Sequence, residues 1–196
     1  SKYMNYERAA GYRDMLFDIK KIAGAHIRRK ILRGTVYIPD DIKAGLKELK
    51  DILHLGKLPV WIDAFDISDI SGAHAAGSLV RFRNGVPYKN GYRKFKIKTV
   101  TDINDYAMIK EIIDRAYKKL DYPDLIVVDG GKGQLKAACQ VLPNNTNILG
   151  LAKQYEDVYL PHKRDAVKLA KDSLGMRLLM HIRDEAHRFA IAYHRK

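Results

Sequence analysis

Asp124-Leu-Ile-Val-Val-Asp-Gly-Gly-Lys-Gly-Gln134 is the stretch that decides the fold. Its apolar run, Leu125 to Val128, follows Pro123 and ends in Asp129 and a glycine-rich turn. A strand apolar on both faces belongs in the middle of a sheet covered by helices on each side. Asp129 then stands at the carboxyl end of that strand, where α/β sheets place their chemistry. Gly130, Gly131 and Gly133 allow close backbone approach by a ligand, and Lys132 adds a cation. A plainer reading has Asp129 capping the helix that comes next, and the stretch alone leaves both open. It is not a Walker phosphate loop, because the spacing and the Ser/Thr after Lys are missing.

Upstream, Val60 to Ile67 reads as a first strand, with Asp66 on the face it shares with Ile62 and Ala64. Ser78 to Phe82 is a second strand, and Asn84-Gly85 a strong hairpin signal. A third, Tyr92 to Lys98, points Arg93, Phe95 and Ile97 one way and Lys94, Lys96 and Lys98 the other. With so basic a chain, that lysine face is a candidate for phosphate contact as well as for plain solvation. A helix over residues 104–120 precedes the central strand, with Ile109, Ile112, Ile113, Ala116 and Leu120 inward. After it come a helix from Gln134 to Val141, a strand Ile148 to Ala152 and a hairpin around Val158 to Leu160. A last helix starts at about Asp172. This order predicts an α/β, RNase H-like mixed sheet: three antiparallel strands plus two parallel strands, flanked by helices, with strand one beside strand four. That adjacency brings Asp66 and Asp129 together.

Ahead of the sheet, residues 3–22 show an amphipathic pattern, and a more basic segment follows Gly24. The expected organisation is a helical hairpin over 1–35, a helical linker over 36–57 and an RNase H-like domain over 58–196. The formal charge of +13 favours a polyanionic partner, most simply nucleic acid. No apolar run approaches the ~20 residues that span a bilayer, so no membrane is expected. Cys139 stands alone, which rules out a disulfide framework or a thiolate zinc cluster and fits a buried thiol in a reducing cytoplasm.

Two neighbouring carboxylates repel unless a divalent cation sits between them, and oxygen donors with open positions suit Mg²⁺ or Mn²⁺. A third ligand or base is expected from the final helix. Its core stripe is Leu174, Leu178, Ile182, Ala186, Phe189 and Tyr193, and His187 falls off that stripe beside Met180, Arg183 and His194. A merely exposed histidine is the alternative. Arg183 and Arg188 stand close enough in sequence to hold phosphates.

Several motifs in unbroken order closely resemble the C-terminal nuclease half of the UvrC family, over roughly residues 58–196. They are Phe65-Asp-Ile-Ser68, Tyr92-Arg-Lys-Phe-Lys-Ile-Lys98, Asp105-Tyr106, Asp124 to Gln134, Gly150-Leu-Ala-Lys153 and Ile182-Arg-Asp-Glu-Ala-His-Arg-Phe-Ala190. The opening Tyr6-Glu-Arg-Ala-Ala10 and Arg13-Asp14 are similar to the UVR hairpin through which that family engages UvrB. The resemblance implies metal-dependent incision of damaged duplex DNA on the 5′ side of a lesion by a monomeric domain, in the cytoplasm. It implies an Asp-Asp-His triad on Asp66, Asp129 and His187, and a further acidic residue at Asp105. In a first helical turn, however, a carboxylate is favoured anyway. It also matches Lys132, Lys153 and Arg183 to basic motif positions, assigned to DNA phosphates or site architecture, and assigns Tyr6, Ala9, Ala10 and Arg13 to UvrB. Arg93, Lys96 and Arg188 are further candidates for DNA contact.

The chain departs from the family pattern at Asp69, where histidine is usual, and at Ala170, where proline is usual. The GIY-YIG domain used for the 3′ cut and the helix-hairpin-helix pair have no counterpart here, so a piece of a longer protein and a reduced relative are the alternatives. Ser1 in place of Met favours a piece. Asp69 keeps a second function in play, a catalytically silent module that binds DNA and UvrB.

Overall fold

The computed structural model describes residues 39–68, 76–98, 100, 104–152 and 157–191. The expected hairpin with Tyr6, Ala9, Ala10 and Arg13, together with Asp69 and Lys153, lies outside the described residues. The chain divides into two compact units, Ser1–Pro39 and Asp40–Lys196. The sheet and its helices belong to the second.

The strands are β1 (Trp61–Ser68), β2 (Ala76–Arg83), β3 (Val86–Pro87), β4 (Arg93–Lys96), β5 (Leu125–Asp129), β6 (Ile148–Leu151) and β7 (Val158–Tyr159). The helices are α1 (Asp40–Ile52), α2 (Asp105–Tyr117), α3 (Lys132–Cys139) and α4 (Leu174–Ile191). The strands form one sheet in the order β3-β2-β1-β5-β6-β7, with β4 also on β2. β5 is buried along its whole length and lies parallel to both β1 and β6. β2 runs antiparallel to β1. This is the RNase H-like plan that the strand order predicts, with the first strand beside the central one.

Burial on both sides of the sheet explains the double apolarity of β5. On one face Ile62, Ala64, Leu125, Val127, Leu149 and Leu151 pack against α1 and α4 through Leu46, Leu49, Leu178 and Ile182. On the other, Phe65, Leu79, Ile126 and Val128 pack against α2 and α3 through Ile109, Ile112, Ile113, Leu135 and Ala138.

Three details differ from expectation. The segment expected as a linker is α1, which packs into the domain: Leu46 and Leu49 are buried, and Glu48 accepts a hydrogen bond from the Gly175 N–H of α4 at 2.8 Å. The hairpin turn forms at Asn84 and Gly85, with φ of 52° and 71°, but it returns into the two-residue β3. A 3-10 turn at Lys89–Gly91 then intervenes, and β4 pairs with the far half of β2. On α4 the buried stripe runs through Gly175, Met176, Leu178, Leu179, Ile182, Ala186 and Ala190. Phe189 is only partly buried against it, and Leu174 stands at the start of the helix.

Candidate metal centre

Alternation along β1 carries Asp66 onto the same face as Ile62 and Ala64, and along β5 carries Asp129 onto the face of Leu125 and Val127. Phe65 pairs with Val128, so one residue further the two aspartates stand side by side at the carboxyl ends of adjacent parallel strands. Both are buried, at 2% and 8% exposure. Asp129 does not cap the next helix: Gly131 is the N-cap of α3, and its N–H donates to the Gln134 side chain at 3.1 Å.

The glycine-rich turn after Asp129 is held by close packing. A Cβ on Gly150 would come within 2.8 Å of the Gly130 carbonyl oxygen, so β6 abuts the turn backbone to backbone. A Cβ on Gly133 would meet the Tyr106 ring at 2.5 to 2.7 Å, so the first turn of α2 leans on the first turn of α3.

α4 supplies the third group. Ile182 and Ala186 are fully buried against the sheet, which leaves His187 at the rim with its side chain half exposed. Its Nδ1 is 3.6 Å from Oδ2 of Asp66. One ligand atom from each of Asp66, Asp129 and His187 falls within 4.8 Å of the others. Ser78 helps to set that geometry, a role not apparent from sequence. It pairs with Asp66 across the β1–β2 ladder, and its hydroxyl donates to the Ala186 carbonyl at 3.3 Å, tying α4 to the sheet one residue before His187.

Two buried carboxylates and one imidazole on a common centre concentrate negative charge where water is scarce, and hard oxygen donors with a nitrogen fit Mg²⁺ or Mn²⁺. The donor set fits such an ion: Asp66 and Asp129 as oxygen ligands, His187 as a nitrogen ligand or base at the open side.

The other sequence-derived candidates surround this centre unevenly. Asp105 is the first residue of α2, after the N-cap Asn104; it is exposed and outside the three-residue cluster. Lys132 opens α3; its Nζ donates to the Arg164 carbonyl at 2.6 Å and lies 5.2 Å from the Tyr159 ring centroid. Arg183 pairs with Asp184 at 3.0 Å. Arg188 donates twice to Glu185, at 2.7 and 2.6 Å, and Glu185 also accepts from the Tyr92 hydroxyl at 2.9 Å. The Arg188 guanidinium, aided by Tyr92, holds the Glu185 carboxyl below the usual range. Burial, with Glu185 beside it, pushes the Tyr92 phenol up. Arg93 donates to the carbonyls of Asn90 and Tyr92 at 2.8 Å, on the face of β4 opposite to Lys96.

A family model described as the UvrC RNAse H endonuclease domain matches residues 50–191. The UvrABC system protein C of Pelodictyon phaeoclathratiforme is 48% identical over 160 residues, covering 78% of this chain and 26% of its own length. That of Dehalococcoides mccartyi (strain ATCC BAA-2100) is 41% identical over 181 residues, covering 85% of this chain and 29% of its own. The chain thus spans about a quarter of the length of these curated relatives. Among solved structures, an endonuclease V from Bacillus subtilis aligns with 13% identity and a TM-score of 0.41, over 76% of this chain and 91% of that one. On the match across residues 50–191 and identities of 41 to 48%, the chain belongs to the UvrC RNase H endonuclease domain family.

Proposed function

We propose that this chain is a divalent-metal-dependent DNA endonuclease of nucleotide excision repair, incising the damaged strand on the 5′ side of a lesion. The observation that carries this reading is the convergence of Asp66, Asp129 and His187 within 4.8 Å of one another. Family membership supports the nuclease chemistry, and the charge of +13 supports a nucleic-acid substrate.

Asp66 and Asp129 would hold Mg²⁺ or Mn²⁺. When bound, the ion supplies positive charge to the phosphodiester oxygens and acidifies a water. The chain's own contribution is placement. Burial of both aspartates on rigid strand ends fixes their spacing, and Ser78 fixes the helix that carries His187. Because Nδ1 of His187 faces Asp66, its Nε2 is the atom positioned to exchange a proton with the reacting groups. Asp105, at the exposed start of α2, would serve as an auxiliary acid. Lys132, Lys153, Arg93, Lys96, Arg183 and Arg188 would bind DNA phosphates or brace the site. Residues 3–35, with Tyr6, Ala9, Ala10 and Arg13, would dock UvrB. The domain would work as a monomer in the cytoplasm. Among the described residues no helix is long and apolar enough to cross a membrane.

The test is nicking of plasmid DNA in Mn²⁺ by the parent and by Asp66→Asn. The variant should fold normally and lose about two orders of magnitude or more in rate. Equal nicking by both would refute the assignment. A parent that binds neither Mn²⁺ nor Mg²⁺ at Asp66 and Asp129 would be the silent DNA- and UvrB-binding module instead.

A further inference from the structure

A row of side chains crosses the sheet at the level of the metal centre. Asp129 stands beside Asp66, one step past the Phe65–Val128 pair. Asp66 pairs with Ser78, and Ser78 pairs with Lys94. Four adjacent strands, β5, β1, β2 and β4, therefore present Asp129, Asp66, Ser78 and Lys94 on one face, the face covered by α4. At about 4.8 Å per strand, the Lys94 backbone is roughly 10 Å from that of Asp66. Lys96, paired with Ala76, comes next on the same face one pleat further on.

The described residues near the end of α4 line a cavity on this face. It measures about 270 Å³ and is lined by Ala76, Gly77, Ser78, Lys94 and Lys96, with Ala190 and Phe95 completing it. Among the described residues the lining carries two lysines and no carboxylate. Small residues from β2 and α4 make room, the Ser78 hydroxyl is committed to the Ala186 carbonyl, and Lys94 and Lys96 are the charged groups among the described lining residues. Lys94 Nζ sits 4.6 Å from the Phe189 ring centroid, a cation–π contact that guides its ammonium along the end of α4. Arg93, by contrast, points to the other face.

We propose that the DNA strand being cut leaves the metal centre across β2 toward β4, and that this pocket seats a neighbouring backbone phosphate on Lys94 and Lys96. The inference rests on the endonuclease reading for its substrate, and it adds a direction to the strand and one residue, Lys94, that positions it. A neighbouring phosphate held in this way fixes the scissile bond against the metal centre without taking part in the chemistry.

The test reads DNA binding separately from cutting. Fluorescence anisotropy of a labelled DNA duplex with the chain, without divalent metal and at several salt concentrations, gives the slope of log K against log salt. Lys94→Ala and Lys96→Ala should each flatten that slope by about one unit and weaken binding at all sequences alike. Lys118→Ala, an exposed lysine paired with Asp114 at the far end of α2, should change neither. A methylphosphonate placed next to the cut should weaken binding by the parent and not weaken Lys94→Ala further. Unchanged slopes in both pocket variants, or fully additive losses with the methylphosphonate, would overturn the proposal. Mn²⁺ titration of the same proteins separates the two readings. Loss of Mn²⁺ binding in the parent would sink the metal centre, while the salt slopes would still report on the pocket.

Discussion

Asp66 and Asp129 are acids buried at 2% and 8% exposure, and charge in that setting persists only with compensation. A bound cation that contacts both should therefore stabilise the fold as well as serve the chemistry. Saturating Mn²⁺, at about 100 times its Kd, should add roughly 2.7 kcal/mol to the parent. It should add almost nothing to Asp66→Asn, which lacks one of the two oxygen ligands. Thermal unfolding with and without Mn²⁺ checks this, and an equal Mn²⁺ shift in both proteins would count against a shared site. Glu185 gives a second prediction at this scale. Arg188 and Tyr92 hold its carboxyl below the ordinary value in the folded state. A depressed folded pKa contributes stability above the unfolded pKa, and that contribution is lost as pH falls through the folded value. Glu185→Gln should thus cost about 1 kcal/mol at pH 7, a modest figure because Arg188 is largely exposed. The gap to the parent should close below about pH 4, as urea unfolding at the two pH values would show.

At the level of elements, the parts legible in the sequence are those whose cause is local. β5 declares itself because both of its faces are buried, and the Asn84-Gly85 turn because its backbone needs positive φ. Strand phase sets the faces of Asp66 and Asp129 and helix phase sets His187 off the core stripe, while their reading as a triad comes from the family resemblance. What local pattern does not contain is partner choice. The helical character of residues 36–57 is legible, but not that Leu46 and Leu49 there pack against α4 and the sheet. The phase of Lys94 along β4 is visible, yet the strand register that sets it two strands from Asp66 is not. Ser78 is hidden for the same reason, since its partner, the Ala186 carbonyl, is 108 residues away. Close backbone approach is likewise invisible until the elements meet. Gly150→Ala would force its new methyl against the Gly130 carbonyl and the Leu135 Cβ, at 2.8 and 3.3 Å. It should cost roughly 1–3 kcal/mol and weaken Mn²⁺ binding by displacing the turn after Asp129. Denaturant melts and a Mn²⁺ titration read the two effects separately.

Across the whole molecule, the two faces of the sheet divide the labour. The α4 face carries the Asp66, Asp129 and His187 cluster and the cavity lined by Lys94 and Lys96. The α2 face carries a buried pair, Asp63 with Arg81, joined by two hydrogen bonds of 2.7 Å each. Tyr117 donates a third to Asp63 at 3.1 Å. Burial pushes the Asp63 carboxyl up while Arg81 and Tyr117 hold it down, so the pair survives on its geometry. Asp63→Ala would leave Arg81 without its counter-ion and should cost about 3–5 kcal/mol. Nicking per folded molecule should hold, because the pair sits on the other face from His187; circular dichroism melts beside nicking assays test that separation.

The most direct test of the metal centre is anomalous scattering at the manganese edge from crystals of this chain soaked in Mn²⁺. A peak bridging Asp66 and Asp129, with the His187 imidazole beside it, is the expected outcome. Soaked crystals with manganese bound elsewhere and nothing between the two aspartates would refute the centre.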